Sequence, residues 1–405
     1  MTDPTMNGGS APEPDVEAAV ALTRRLVRLR TVNDPSSATV EEPAARLLFD
    51  LMRGFGWHVT IEDVVPGRPN VVAVVDGDRP GRTLMFEGHT DVVTEGDRSD
   101  WSFPPYVGDI VDGRLRGRGS ADMKSGVAAM IHAVRAVELG GFAGRIIVAA
   151  LADEEGMMLG VKDFAGSPMA ASGIDGVIVC EPEGGEICCV AKGAIRVRIG
   201  FTGKMAHGAM PQHGRSPIPA IGQLLIGLGE LQDQIAASVG PHQHLGDFYL
   251  TPTVLSAGSP EQVNVIPATA SVYLDIRTIP SVGHPALLHL VTRLAEKIAA
   301  DAGLVVEVEV IDDRPPVDTP VDAPVVAALV TAHEEITGSA AVFGGVPGTT
   351  DGTILFRDAG LTTVVYGPGG KWIAHQADEY VDVDDIATAA RVYTRAARLF
   401  LTEPS

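Results

Sequence analysis

The chain has 405 residues, 45% of them hydrophobic, enough apolar material for one large core and a smaller second one. Its 31 basic and 52 acidic residues leave a net charge of −21, a surface that repels phosphate backbones and argues against nucleic-acid binding. No run approaches the ~18 uninterrupted apolar residues of a membrane span.

Residues 1–13 are polar and rich in Gly and Pro, without the basic start and apolar run of a signal peptide. The expectation is a disordered tail on a cytoplasmic protein. The three cysteines, Cys180, Cys188 and Cys189, lack CxxC spacing; so sparse and odd a number argues against a disulfide framework and fits a reducing compartment, and Cys180, at the end of an apolar run, reads as a buried thiol.

Residues 14–31 and 41–54 carry apolar positions at helical spacing. VVAVV (71–75) and TLMFEGHTD (83–91) read as strands, and 125–141 as an amphipathic helix stopped by a Gly pair. RIIVAALADEE (145–155) and GVIVCEP (176–182) are further strands. Such alternation predicts an α/β domain with a mostly parallel sheet and helices on both faces.

The pattern changes after Glu186. AIRVRIGFTG (194–203) alternates apolar and polar residues, and a helical run follows at 217–237. After a loop rich in His and Pro come a strand at 268–278, a helix at 285–302 and a strand at 305–311. This is an α+β pattern, with the sheet on one side and helices on the other. RPPVDTPVDAP (314–324) reads as a linker. The expected layout is a discontinuous catalytic domain, 14–190 and 315–405, with an inserted domain at 191–314.

Several polar residues fall at the ends of the predicted strands. In EGHTDVV (87–93), His89 and Asp91 share one side of an extended chain, as a metal-binding His and its orienting carboxylate do. A capped loop with a surface His has the same appearance. Asp122, in GRGSADMKSG, precedes a helix and fits either a ligand or an N-cap. The adjacent Glu154 and Glu155 of ADEEG face opposite sides if the strand continues, so one can bind a metal while the other meets substrate. A solvated acidic turn is the alternative. Glu181 follows the next strand, and His375 follows a Gly-rich loop. Sites in α/β sheets form beyond the carboxyl ends of strands, and mixed His and carboxylate donors suit two borderline divalent cations, zinc first.

These motifs resemble the M20 metallopeptidase family, a group of deacetylases, desuccinylases, aminoacylases and glutamate carboxypeptidases. GHTDVV, GRGSADMKSG, DEEG, CEP, KMAHGAMP, NVIP, DIR, GTTDG and AHQADEYV stand in the family's order from about residue 20 to 395. The resemblance implies that Asp122 bridges two metals, zinc or alternatively cobalt or manganese. His89 and Glu181 would complete one site, and Glu155 and His375 the other. Asp91 would orient His89, and Glu154 would be the general base. A non-proline cis bond at Asp122–Met123 is also implied.

By the same resemblance, the inserted domain is a lid and dimerisation domain giving a homodimer. From it His207 would reach the scissile carbonyl, while Asn264 and Arg277 would hold the substrate carboxylate. Thr349 in GTTDG and Gly369 in GPGG would line the substrate site. The stretches 157–159 and 214–220 depart from the family's usual residues and bear on substrate choice.

The implied reaction is hydrolysis of the amide bond of an N-acyl amino acid or related small carboxylate-bearing amide. Other readings are a dipeptidase or aminopeptidase, a carbamoyl or formyl amide hydrolase, or a non-catalytic metal-binding scaffold. His132 is expected to pack, and His58, His242, His244 and His333 to lie at the surface or in loops.

Overall fold

The structure, a computed structural model, describes residues 11–34 and 40–402. Most of the tail expected at 1–13 therefore lies outside the described residues. From residue 11 the chain is tied down: the carbonyl of Pro12 accepts a hydrogen bond from the Arg398 guanidinium. The chain divides into two compact units. One comprises 1–189, 319–344 and 350–405, and the other 190–318 and 345–349.

The larger unit is built on a mixed sheet. Its strands run in the order His58–Val65, Arg68–Asp76, Ala143–Leu151, Arg79–His89, Gly176–Val179, Thr363–Val365, Ile187–Ala191. Only the central pairings, from Ala143–Leu151 through Thr363–Val365, are parallel. The expected mostly parallel sheet is thus corrected to a parallel centre with antiparallel flanks. The cause is local. A tight turn at Pro66 and Gly67, the latter at φ +78°, folds His58–Val65 back on Arg68–Asp76, and that strand pairs antiparallel with Ala143–Leu151.

Both faces of the central strands are covered. Leu84, Phe86, Ile146, Val148 and Ala150 join one cluster with Val127, Val134, Ala390 and Phe400 from the helices Ser125–Leu139 and Val383–Thr402. Their neighbours Met85, Ile147, Ala149 and Val179 point the other way and are equally buried. There, helix Asp351–Ala359 packs so closely that a Cβ added to Gly352 would lie 3.1 Å from the Val179 side chain. His333, expected at the surface or in a loop, is buried on helix Pro324–Thr337, with Nδ1 3.0 Å from the Tyr366 hydroxyl. The three cysteines are buried. Among the described residues, no helix is long and apolar enough to cross a membrane.

The second unit holds a four-stranded antiparallel sheet in the order Tyr249–Ala257, Thr269–Thr278, Gly193–Thr202, Val305–Arg314. Ile195, Val197, Ile199 and Phe201 alternate onto one face. There they meet Leu224 and Leu228 of helix Ile218–Val239, and Leu287 and Val291 of helix His284–Ala302. Residues 345–349 group with this unit, although 315–405 was expected to be continuous. The reason is hydrogen bonding: the Lys192 N–H donates to the Val346 carbonyl, and the Arg314 guanidinium to the Thr349 hydroxyl at 3.2 Å.

Candidate active site

The site of the larger unit grows from the carboxyl ends of its central strands. Strand Arg79–His89 ends on His89, and strand Ala143–Leu151 leads into the turn of Asp153, Glu154 and Glu155. Glu181 follows Gly176–Val179, and His375 comes from the loop after Thr363–Val365. Asp122 sits in the loop before helix Ser125–Leu139, with a cis bond to Met123.

Small residues let these segments close together. A Cβ on Gly126 would lie 2.0 Å from the Cys180 carbonyl oxygen, so only glycine lets the helix start abut the strand end that carries Glu181. Gly88 likewise leaves room for Met123, whose sulfur lies 3.2 Å from the His89 amide.

The structure brings His89, Asp91, Asp122, Glu154, Glu155, Glu181 and His375 together. One oxygen of Asp122 lies 3.1 Å from His89 Nε2, and the other lies 3.2 Å from His375 Nε2. His89 Nε2 is also 3.4 Å from Glu181, and His375 Nε2 is 3.0 Å from Glu155. Behind His89, Nδ1 faces Asp91 Oδ1 at 3.4 Å and the Asp91 carbonyl at 3.1 Å. Ligand atoms of His89, Glu154 and Glu181, and of His89, Asp122 and Glu155, cluster closely enough to hold a metal ion. A third such group, Glu183, Glu186 and Cys188, already holds a cation: the Lys371 ammonium lies 2.9 and 2.7 Å from the carboxylates.

Packing so many carboxylates out of water has an electrostatic consequence. Burial, reinforced by repulsion from Asp122, pushes Glu181 up to about 8 and raises Glu155. Glu154 is raised well above its ordinary value, by burial first and then by Glu155, Glu181 and Asp351, against the pull of His89. Asp122 goes the other way. Burial raises it, but hydrogen bonds from His375 and His89 prevail and hold it far below the usual carboxylate range. In return, Asp122 and Glu155 push His375 up to about 11. The cluster thus makes its own histidines carry protons to balance its charge. A donor set of carboxylates and imidazoles short of positive charge fits divalent cations.

Other residues of the site carry no local sequence signal. Glu379 lies in the AHQADEYV stretch, but its role is visible only in three dimensions. Its carboxylate accepts from the amides of Ala121 and Asp122 at 3.0 and 3.2 Å and pairs with Arg118 at 2.5 Å, fixing the Asp122 loop. Glu87 and Asp351 are buried together beneath the cluster. Burial first, and then their neighbours' charge, raises both, Glu87 to about 8.

The remaining sequence candidates divide between the units. Gly369 belongs to the larger one, buried at φ +86°, where an added Cβ would press on Ala121 at 3.1 Å. His207, Asn264, Arg277 and Thr349 belong to the second. His207 and Asn264 are both exposed; His207 pairs with Val265 on a short ladder, and the Gly208 amide donates to the Asn264 carbonyl at 2.6 Å. Arg277 stands on the sheet face away from the helices and pairs with Asp275 at 2.9 Å.

A mixed α/β sheet with a cation-seeking cluster of His and carboxylates at its strand ends places a site where such sheets carry one, and similarity to known proteins makes the chain a hydrolase acting on amide bonds. The chain belongs to peptidase family M20/M25/M40, whose model matches residues 85–399. It is 34% identical to succinyl-diaminopimelate desuccinylase 2 of Ruegeria sp. (strain TM1040), over 97% of this chain and 98% of the relative.

Among solved structures it resembles an M20 family metallo-carboxypeptidase from Sulfolobus solfataricus, with a TM-score of 0.76 and 18% identity over 94% of this chain and 99% of the other. It also resembles a dinuclear metal binding peptidase of the M20 family from Bacillus subtilis, with a TM-score of 0.71 and 19% identity over 95% and 99%. At these identities the structures establish a shared fold.

Proposed function

We propose that this chain is a two-metal deacylase that releases an acyl group from the amine of a small, carboxylate-bearing N-acyl amino acid, with N-succinyl substrates first. The observation that carries the reading is the division of Asp122: its two carboxylate oxygens face different histidines, His89 and His375. Asp122 would therefore stand between two cations. His89 and Glu181 complete one set of ligands, and Glu155 and His375 the other. Zinc suits these donors first, with cobalt or manganese as substitutes. The desuccinylase relative supports the acyl group.

Bound divalent cations would supply an acidified water and a Lewis acid for the scissile carbonyl. The chain's own residues do the rest. Asp91 holds the His89 ring in orientation through Nδ1. Glu154, buried beside the ligand cluster, takes the proton of the attacking water and passes it to the leaving amine nitrogen. His207 donates a hydrogen bond to the carbonyl oxygen as negative charge develops there. Arg277 offers a planar fork to the substrate carboxylate, with Asn264, Thr349 and Gly369 lining the site. In this reading the second unit serves as lid and dimerisation domain, in a cytoplasmic homodimer.

A panel of N-succinyl and N-acetyl amino acids, dipeptides and N-carbamoyl amino acids, assayed with zinc, tests the reading. The N-succinyl compounds should turn over fastest. Turnover confined to dipeptides or carbamoyl amides would replace it.

A further inference from the structure

Behind Asp91 the larger unit contains a chain of buried and half-buried polar contacts that the proposed reaction does not itself require. Asn33 Nδ2 donates to Asp91 Oδ2 at 2.7 Å and to Asp153 Oδ1 at 2.9 Å. Asp153 Oδ1 also accepts from Arg68 Nη1 at 2.6 Å, and the same nitrogen reaches Glu41 at 3.1 Å. Arg68, Glu41 and Asp153 are all buried. Asn33 is docked beside Asp91 by its backbone, because Val32 and Val92 form a parallel bridge and the Asn33 amide donates to the Val92 carbonyl at 2.8 Å.

The far end of this chain bears on the chemistry. Besides facing His89, Asp91 accepts the backbone amides of Glu154 on Oδ1 and of Glu155 on Oδ2, each at 3.1 Å. One carboxylate thus sets the ring of His89 and the backbone of both glutamates. Asp153, at φ +68°, ties the same turn from the other side, and its Oδ2 accepts the amides of Met157 and Leu159. The turn has no slack: a Cβ on Gly156 would come within 2.6 Å of Asp153 Oδ1 and 2.9 Å of Asn33.

We propose that Arg68, Asp153 and Asn33 form a positioning relay that fixes Asp91 and, through it, the separation between the Glu154 carboxylate and the ion ligands His89 and Glu155. The inference rests on the roles assigned above to Glu154, Glu155 and His89. Arg68 is suited to anchor the relay because its planar fork reaches partners in fixed directions. Asn33 is suited to the middle because its amide carries two donors for two carboxylates that would otherwise repel each other. None of these residues touches the substrate, so each acts through Asp91.

The test compares wild type, Asn33→Ala, Arg68→Met and Arg68→Lys by kcat and KM on an N-succinyl amino acid. It also measures the zinc affinity of the metal-stripped proteins by competition with a chromogenic chelator. Asn33→Ala and Arg68→Met should lower kcat about 10- to 100-fold with KM within about threefold, and weaken zinc binding about 10-fold. Arg68→Lys keeps the charge but not the fork and should fall between these and wild type. Lowered thermal stability with wild-type kcat and zinc affinity would overturn the relay. If Arg68→Met does not fold, Asn33→Ala, which removes no charge, decides. A wild type that hydrolyses no amide would refute the functional reading instead, and the chelator competition would still judge the relay.

Discussion

The two units bury their sheets differently, and the difference governs where reactive groups sit. In the larger unit consecutive residues of the central strands are buried on both faces, so polar groups emerge only at strand ends. His89, Glu154, Glu155 and Glu181 collect there, largely out of water, and distort one another's proton affinities. In the second unit only one sheet face is covered, and Arg277 stands on the other face as an ordinary half-buried ion pair with Asp275. The first arrangement suits groups that must hold cations and move a proton. The second suits groups that need only reach a substrate.

Substitutions can break this contrast at either end. Glu154→Gln takes the proposed proton carrier from the crowded site and should cost kcat about 100- to 10,000-fold while zinc content, read by atomic absorption, stays at wild type. His207→Ala, in the second unit, should lower kcat about 100- to 1,000-fold with zinc content and thermal unfolding unchanged. Equal kcat in that variant would remove the second unit from the chemistry. Arg277→Lys should act mainly on KM, raising it about 10-fold, because an ammonium cannot copy the two-point contact with a carboxylate.

The smallest expected effect sharpens the electrostatic half of the comparison. Without metal, His375 holds its proton up to about 11 and Glu181 up to about 8, both above pH 7. Cation binding at pH 7 must displace protons from such groups, so zinc affinity should fall as pH is lowered. Calorimetry in buffers of different ionisation enthalpy should then give zinc-binding heats that vary with the buffer. Heats independent of buffer would mean that the histidines are already free of protons.

The sequence pointed to His89, Glu155 and Glu181 because each lies at the end of an apolar run, whereas Asp122 and His375 sit in Gly-rich stretches and joined them through the order of the family's motifs. It did not reveal Asn33, Arg68 or Glu379, whose roles depend on partners 58, 85 and 261 positions away in the chain. The edge strand His58–Val65 escaped detection because it is only partly buried and carries charges. Strand Tyr249–Ala257 was missed for a similar reason, being exposed along nearly its whole length and interrupted by Pro252. The parallel character of the sheet was overestimated because a turn as short as Pro66–Gly67 reverses a strand without altering its hydrophobic pattern.

The most direct test of the account is titration of the metal-stripped chain with zinc while turnover of an N-succinyl amino acid is followed. The account predicts full activity when about two ions are bound per chain, with Glu181→Gln and His375→Ala each losing one of them. Saturation of activity at a single ion, or turnover that survives complete chelation, would contradict it.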